Sequence, residues 1–520
     1  MRGKKMENKR ESWGSNFGFI MAAIGSAVGL GNIWGFPYKM GKCGGFTFLL
    51  VYIVLAVAVG LVSMSSELAI GRMTGRGVVD AYKAVSKKFK WIGWLGMLSP
   101  FLIMSFYSVL GAYCFQYMFL NFAELGFGLS NIFGTTITGS NTFSAMLQNQ
   151  FGCAIYTLLF MVICMFIVKG GLSGGIEQFN KIGMPALFVM LLVVIIRSVT
   201  LPNAAEGLKY MFVPGYAVKA GFIDEAPDFL SVLGTAGGQM FFSLSLAMGA
   251  MVTYGSYIGK KENLVKNSAV IVCSDTLVAL MAGLAVIPAA VANGINSGIP
   301  VNEIALGGPK LLFVTLQDVF SNMGVAGPLF GIIFYALVII AAVSSAISLM
   351  EVMATFFIDR AADKGKSASR TKITLWISVA IMIEALVVAI DGLGSNGVWV
   401  PGQKLFGVDT WNDCWLDFMD CWSEGIAMPL GTILMALMIG WERKPDFVLK
   451  EISSGCSSPW FVPFYKICIK FVVPVIMTLV LAGQLESFFC NVSSIILYII
   501  SGVVLVAFWI FAAVGNKQEA

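Results

Sequence analysis

Residues 25–37 read Gly25-Ser26-Ala27-Val28-Gly29-Leu30-Gly31-Asn32-Ile33-Trp34-Gly35-Phe36-Pro37, and they interrupt an apolar run, 16–39, long enough to cross a bilayer. Each glycine weakens an interior helical position by about 1 kcal/mol relative to alanine. Four of them, with an asparagine and a proline, predict that the helix unwinds here. Small residues also serve close helix packing, the other reading of the same glycines. Asn32 and Pro37 suit a broken helix better than a packing face. Unwound backbone at membrane depth survives only where it is buried in protein or lines a cavity, so the stretch points to a binding site.

The whole chain agrees with a membrane setting. Of 520 residues, 58% are apolar and 12% charged, which excludes an ordinary soluble enzyme. Apolar runs fall near 16–39, 46–70, 94–120, 152–169, 178–200, 231–258, 267–292, 325–357, 371–391, 414–440, 465–484 and 491–514, predicting an all-α protein of twelve spans. Arg2, Lys4, Lys5, Lys9 and Arg10 precede span 1. Arg72, Arg76, Lys83, Lys87, Lys88 and Lys90 follow span 2, and the bias recurs in every second loop, whereas 121–151 has neither Lys nor Arg. The basic loops and both termini are therefore expected on the cytoplasmic side. The basic start resembles a secretory signal, but no small-residue cleavage site closes it, so span 1 is expected to be retained.

The chain has no histidine, which excludes histidine-based catalysis and metal sites. Its ten cysteines show no metal-like spacing. Cys414 and Cys421 could pair, although their spacing is no disulfide signature. A net charge of +5, spread over short loops, indicates no nucleic-acid partner. The extramembrane segments leave no room for a separate catalytic domain.

A second interruption, Gln239-Met240-Phe241-Phe242-Ser243-Leu244-Ser245-Leu246-Ala247-Met248-Gly249, breaks span 6. Interrupted helices in matching places of two halves are the pointer to an inverted-repeat transporter with its site near the bilayer midplane. The expected organisation is a cytoplasmic segment 1–15 and a ten-helix core 16–440, with repeats of about 16–200 and 231–440. Two accessory spans over 441–514 and a tail 515–520 complete it.

Further motifs sharpen this reading: Arg10-x-x-Trp13, Ala27 to Trp34 with Phe36-Pro37-Tyr38, and Glu67-x-x-x-Gly71-Arg72. To these are added Ser105-Phe106-Tyr107-Ser108, Gly175-Ile176-Glu177 with Lys181 and Pro185, Gln239 to Gly249, Ser344-Ser345, and Leu416 to Asp420. Spread from residue 10 to about 440, they give a chain that resembles the neurotransmitter:sodium symporter family of LeuT-type fold, as a prokaryotic amino-acid transporter member.

The resemblance implies two sodium sites. The first would use Ala27, Asn32, Ser243 and Asp275 with the substrate carboxylate, and the second the carbonyls of Gly25, Val28 and Ala341 with the hydroxyls of Ser344 and Ser345. Those two hydroxyls could instead bond back to their own helix. Substrate would meet Ala27, Leu30, Gly31, Ile103, Tyr107, Phe242, Ser245, Met248, Ser345 and Leu349. Gly29, where amine-transporting relatives carry Asp, favours a complete amino acid. Ala247, in place of a common glycine, is expected to narrow the pocket toward small or aliphatic neutral substrates. Asp275 stands where many members have Asn, and Ala279 where the family uses Glu or Ser. Asp275 is thus expected to be a built-in anion that makes chloride unnecessary, the alternative being a protonated structural Asp.

The resemblance also implies gates. Arg10 and Asp359 match an inner pair. The outer pair departs from the family pattern, since Gly35 replaces an Arg while its partner Asp420 remains. Lys39, one turn outward, is the expected substitute. Glu67, Glu351 and Glu384 are further acids within spans, which keeps proton coupling open; Glu67 matches a scaffold residue. The reading is a sodium-coupled importer of neutral amino acids in a prokaryotic plasma membrane, and not an enzyme. Its rivals are a proton-coupled carrier and a non-transporting sensor or channel.

Overall fold

The computed structural model describes residues 11–127, 131–132, 135–136, 139–304, 306, 311–366, 369–401, 404–405, 408–409, 414–454, 459–488 and 493–514. The helices of spans 2–5 run over Phe46–Thr74, Ile92–Gly126, Gln150–Lys169 and Leu172–Val199, and those of spans 7–9 over Leu264–Asn296, Gly324–Asp363 and Arg370–Asp391. Spans 10–12 follow as Trp415–Glu442, Phe461–Glu486 and Ser494–Val514. Span 1 is the pair Asn16–Ala27 and Gly31–Lys42, bent by 47° at the break. Span 6 is divided into Phe229–Ser243 and Ala250–Gly255. Among the described residues ten helices are long and apolar enough to cross a membrane, and the broken spans 1 and 6 bring the number to the twelve expected from the sequence. Several helices run beyond their apolar runs, because backbone that leaves the hydrocarbon core still bonds to itself. The strands among the described residues are two-residue pairs, Asn131–Ile132 with Thr135–Thr136 and Lys404–Leu405 with Val408–Asp409.

Spans 3, 8 and 10 are the most buried of the unbroken helices and span 12 the most exposed. Span 11 packs on spans 6 and 10, and span 12 on span 11. A peripheral, lipid-facing position follows for span 12. Residues 1–10 and 515–520, the expected N-terminal segment and tail, lie outside the described residues apart from 11–15.

The two breaks differ in construction. In span 1, Val28 turns extended, with φ −75° and ψ 101°. Both readings of the glycines are realised there. A Cβ on Gly25 would fall 1.8 Å from Asn180 Oδ1, and one on Gly29 would fall 2.3 Å from Ser345 Oγ and 2.4 Å from the Tyr107 hydroxyl. In span 6, Ser245, Ala247 and Gly249 take positive φ of 52°, 59° and 75°. Such a conformation costs a side-chain-bearing residue about 1–2 kcal/mol. It holds because its freed polar groups are met: Ala247 N–H donates to Glu67 Oε1 at 2.6 Å and Ser245 Oγ to the Ser26 carbonyl at 2.7 Å. Glu67 thus anchors unwound backbone.

Candidate functional site

Four spans meet at the Asp275 carboxyl, which is fully buried. Asn32 Nδ2 donates to Oδ1 at 2.7 Å, Ser243 Oγ lies 3.0 Å from both oxygens, and the Tyr52 hydroxyl donates to Oδ2 at 3.2 Å. Asn32 Oδ1 in turn accepts the Gly29 N–H at 2.9 Å, which ties this cluster to the unwound backbone. Tyr52 is the member that the sequence reading missed. Nothing in an isolated tyrosine of an apolar span says what its hydroxyl faces.

A second cluster joins spans 1 and 8. Ser344 Oγ is 2.8 Å from the Ala341 carbonyl and 3.4 Å from that of Val28. Ser345 Oγ is 3.3, 3.0 and 3.4 Å from the carbonyls of Gly25, Ser26 and Val28. Back-bonding to the helix is therefore part of the picture for Ser344, and the Ser26 carbonyl accepts Ser245 Oγ as well as facing Ser345. Carbonyl and hydroxyl oxygens gathered this closely suit a hard cation that prefers oxygen ligands. The expected sodium ligands are thus brought together in two places, with Ala27 on the cavity between them.

That cavity is lined by Ser26, Ala27, Gly29, Gly31, Ile103, Tyr107, Phe242, Ser245, Met248, Ser345 and Leu349. All the expected substrate residues except Leu30 are among them. Leu30 contributes its backbone, whose N–H donates to the Tyr107 hydroxyl at 2.9 Å. The Tyr107 hydroxyl and Ser345 Oγ both crowd Gly29, so the amide cradle and the second cluster meet at one point of the cavity. No ionised side chain lines the cavity. Its free space is about 20 Å³, room for one water-sized group, so an amino acid must part its walls. Phe242, half-buried and 6.4 Å from the Tyr107 ring, forms one of those walls.

Ala247 corrects an expectation. It lines a separate small cavity beside Glu67 and Gly431, not the substrate cavity, because its positive φ turns the methyl toward span 10. Ala247 therefore sets no wall of the substrate cavity.

The outer pair is corrected too. Lys39 Nζ bonds Glu424 Oε1 at 2.8 Å, not Asp420. Glu424 lies one turn deeper in span 10, and both partners are largely buried. Asp420 Oδ1 is buried without a hydrogen-bond partner among the described residues. An acid one turn from Asp420 within an apolar span was the available signal. Gly35 is crowded, as a Cβ there would fall 2.8 Å from Gln239 Oε1.

At the opposite end Arg10 lies outside the described residues. Asp359 accepts the Gly77 N–H at 2.8 Å. The Trp13 indole donates to the Tyr254 carbonyl at 3.2 Å and packs edge-on against Tyr254 and Tyr257. Glu351, unassigned from sequence, pairs with Arg370 and accepts the Tyr257 hydroxyl at 3.0 Å. Arg370 also reaches Glu11 at 3.4 Å, and Glu11 accepts the Leu172 N–H at 2.9 Å. The segment before span 1 is thereby held against spans 5, 6 and 9. Glu384 Oε2 is buried with no hydrogen bond among the described residues. Cys414 and Cys421 are both free thiols.

Comparison with known proteins places this architecture. Residues 10–135 and 137–514 match the model of the Sodium:neurotransmitter symporter family. A protein of Bacillus subtilis described as an uncharacterized sodium-dependent transporter, YhdH, is 33% identical over 480 residues, covering 91% of this chain and 97% of that protein. The sodium- and chloride-dependent glycine transporter 1 of Xenopus laevis is 24% identical over 531 residues, covering 92% of this chain and 78% of its own. Among solved structures, MhsT in complex with L-phenylalanine is 33% identical with a TM-score of 0.77, over 91% of this chain and 100% of that one.

Proposed function

Because the chain belongs to the sodium:neurotransmitter symporter family, we propose that it is a sodium-coupled symporter that imports neutral, apolar amino acids by alternating access. The observation that carries this reading is the flanking of one uncharged cavity by two oxygen clusters, each joined to it through a shared residue. Asn32 links Asp275 to the Gly29 amide, and Ser345 links the carbonyls of span 1 to the cavity that it lines beside Tyr107. Sodium in the first cluster would be met by Ala27, Asn32, Ser243 and Asp275, and in the second by Gly25, Val28, Ala341, Ser344 and Ser345. The substrate carboxylate would lie at the Leu30 and Gly31 amides beside Tyr107, completing the first sodium's shell. Each ligand then raises the other's affinity by the same factor, as linkage requires.

Ile103, Phe242, Met248 and Leu349 form an apolar side-chain subsite. With the Ala247 methyl directed elsewhere, the subsite is not confined to small or aliphatic side chains, and the phenylalanine bound to MhsT supports including aromatic ones. Asp275, ionised, supplies the anion that chloride provides elsewhere, so transport is chloride-independent. Lys39 and Glu424 act as the outer gate beside Asp420, and Asp359 with Arg10 as the inner one. The protein resides in a prokaryotic plasma membrane with both termini cytoplasmic.

The test is uptake of labelled phenylalanine, leucine and glycine into proteoliposomes under an inward sodium gradient and, separately, an inward proton gradient. Accumulation driven by sodium alone is expected. Accumulation driven by protons alone would replace this reading with a proton-coupled carrier, and binding without accumulation would replace it with a sensor.

A further inference from the structure

Spans 3, 8 and 9 part on the outer surface of the bundle to leave a groove of about 590 Å³, within the range of small-molecule sites. Its walls are almost wholly apolar, with Trp94 and Phe101 from span 3, Met353 and Phe357 from span 8, and Trp376 and Ala380 from span 9. The groove opens at the end of the bundle that carries the basic loops, and it takes no part in the substrate site.

Each of the three helices brings a cation to that end. Arg360 follows Phe357 by three residues, Lys372 precedes Trp376 by four, and Lys90 precedes Trp94 by four. All three are exposed, and none forms an ion pair among the described residues. Arg360 borders the groove at its Trp94 wall, its guanidinium 5.8 Å from the Trp94 ring and 4.8 Å from that of the neighbouring Phe356. The acids on its own turn are engaged elsewhere, Asp363 with Arg76 at 2.9 Å and Asp359 with the Gly77 amide. An uncompensated cation stacked at the mouth of an apolar groove, with tryptophans at the interfacial level, matches an amphiphile with an anionic head.

We propose that this groove is a binding site for one anionic phospholipid of the leaflet facing the basic loops. Its acyl chains lie between Phe101, Met353 and Ala380, and its phosphate is held by Arg360 with Lys90 and Lys372 nearby. A zwitterionic lipid of the same chains fits the groove but gains little from the three cations.

The test is native mass spectrometry of the full chain in detergent, titrated with phosphatidylglycerol or with phosphatidylcholine of identical acyl chains. The wild type is expected to retain one phosphatidylglycerol roughly tenfold or more tightly than phosphatidylcholine. Arg360→Gln should lose most of that preference while leaving phosphatidylcholine retention unchanged. Ala380→Trp, a change on an exposed surface, should fill the groove and weaken both lipids. Equal retention of the two lipids by the wild type would overturn the headgroup assignment, and undiminished phosphatidylglycerol retention by Ala380→Trp would overturn the site. The readout is lipid mass, so it is independent of whether sodium drives transport.

Discussion

The cluster at Asp275 takes its polar groups from side chains of four spans, Asn32, Tyr52, Ser243 and Asp275, whereas the cluster at Ser344 and Ser345 rests largely on backbone carbonyls of two. The first is a knot in which every strand is a replaceable side chain and one carries a carboxyl. The second would keep its carbonyls whatever the side chains became. Two sites for the same cation on one cavity should therefore respond differently to substitution.

The largest effect is expected from Asp275→Ala. It leaves Asn32, Ser243 and Tyr52 facing one another without their acceptor and takes the carboxylate from the proposed sodium shell, where each hydrogen bond to a charged group is worth about 1.5–3 kcal/mol. The sodium concentration for half-maximal amino-acid binding should rise by roughly a hundredfold or more. A shift of a few-fold would erase the contrast between the clusters. Next comes Gly29→Ala, which strikes the cavity between them. Its methyl would press on Ser345 and Tyr107, an overpacking of about 1–3 kcal/mol. Amino-acid affinity measured by calorimetry in saturating sodium should drop by roughly tenfold.

Ser344→Ala removes one hydroxyl and leaves the carbonyls of Gly25, Val28 and Ala341 with Ser345. A loss of about 1 kcal/mol predicts a rise of roughly fivefold in the sodium requirement. A loss as deep as that of Asp275→Ala would show that the second cluster depends on side chains after all. The smallest change is Asp275→Asn, which keeps the shape of the first cluster and removes its charge. Uptake by this variant should be stimulated a few-fold when gluconate is replaced by chloride, while the wild type is indifferent. Wild-type uptake that itself requires chloride would contradict the built-in anion.

The same contrast explains what could be read from the chain in advance. Breaks in spans 1 and 6 were legible because glycine, asparagine and proline act locally, and the pairing of the breaks implied the architecture. The Ser344-Ser345 pair and Asn32 were legible through resemblance, as were the cavity residues. Tyr52 and Glu424 were not, since each gains its role from a partner more than two hundred residues away in sequence. The direction of the Ala247 methyl depends on a positive φ that the residue type does not announce. Lys39 pairs with the deeper acid because Asp420 and Glu424 are one turn apart on span 10, a choice that residue spacing alone does not make.

The central claim is that sodium and a neutral amino acid share one site. It is tested most directly by scintillation-proximity binding of labelled phenylalanine to the purified protein, in sodium and in potassium at one pH. The account predicts saturable binding in sodium that is absent in potassium and displaced by other apolar amino acids. Equal binding in both salts would contradict it, and would remove the ion roles given to Asn32, Ser243 and Asp275.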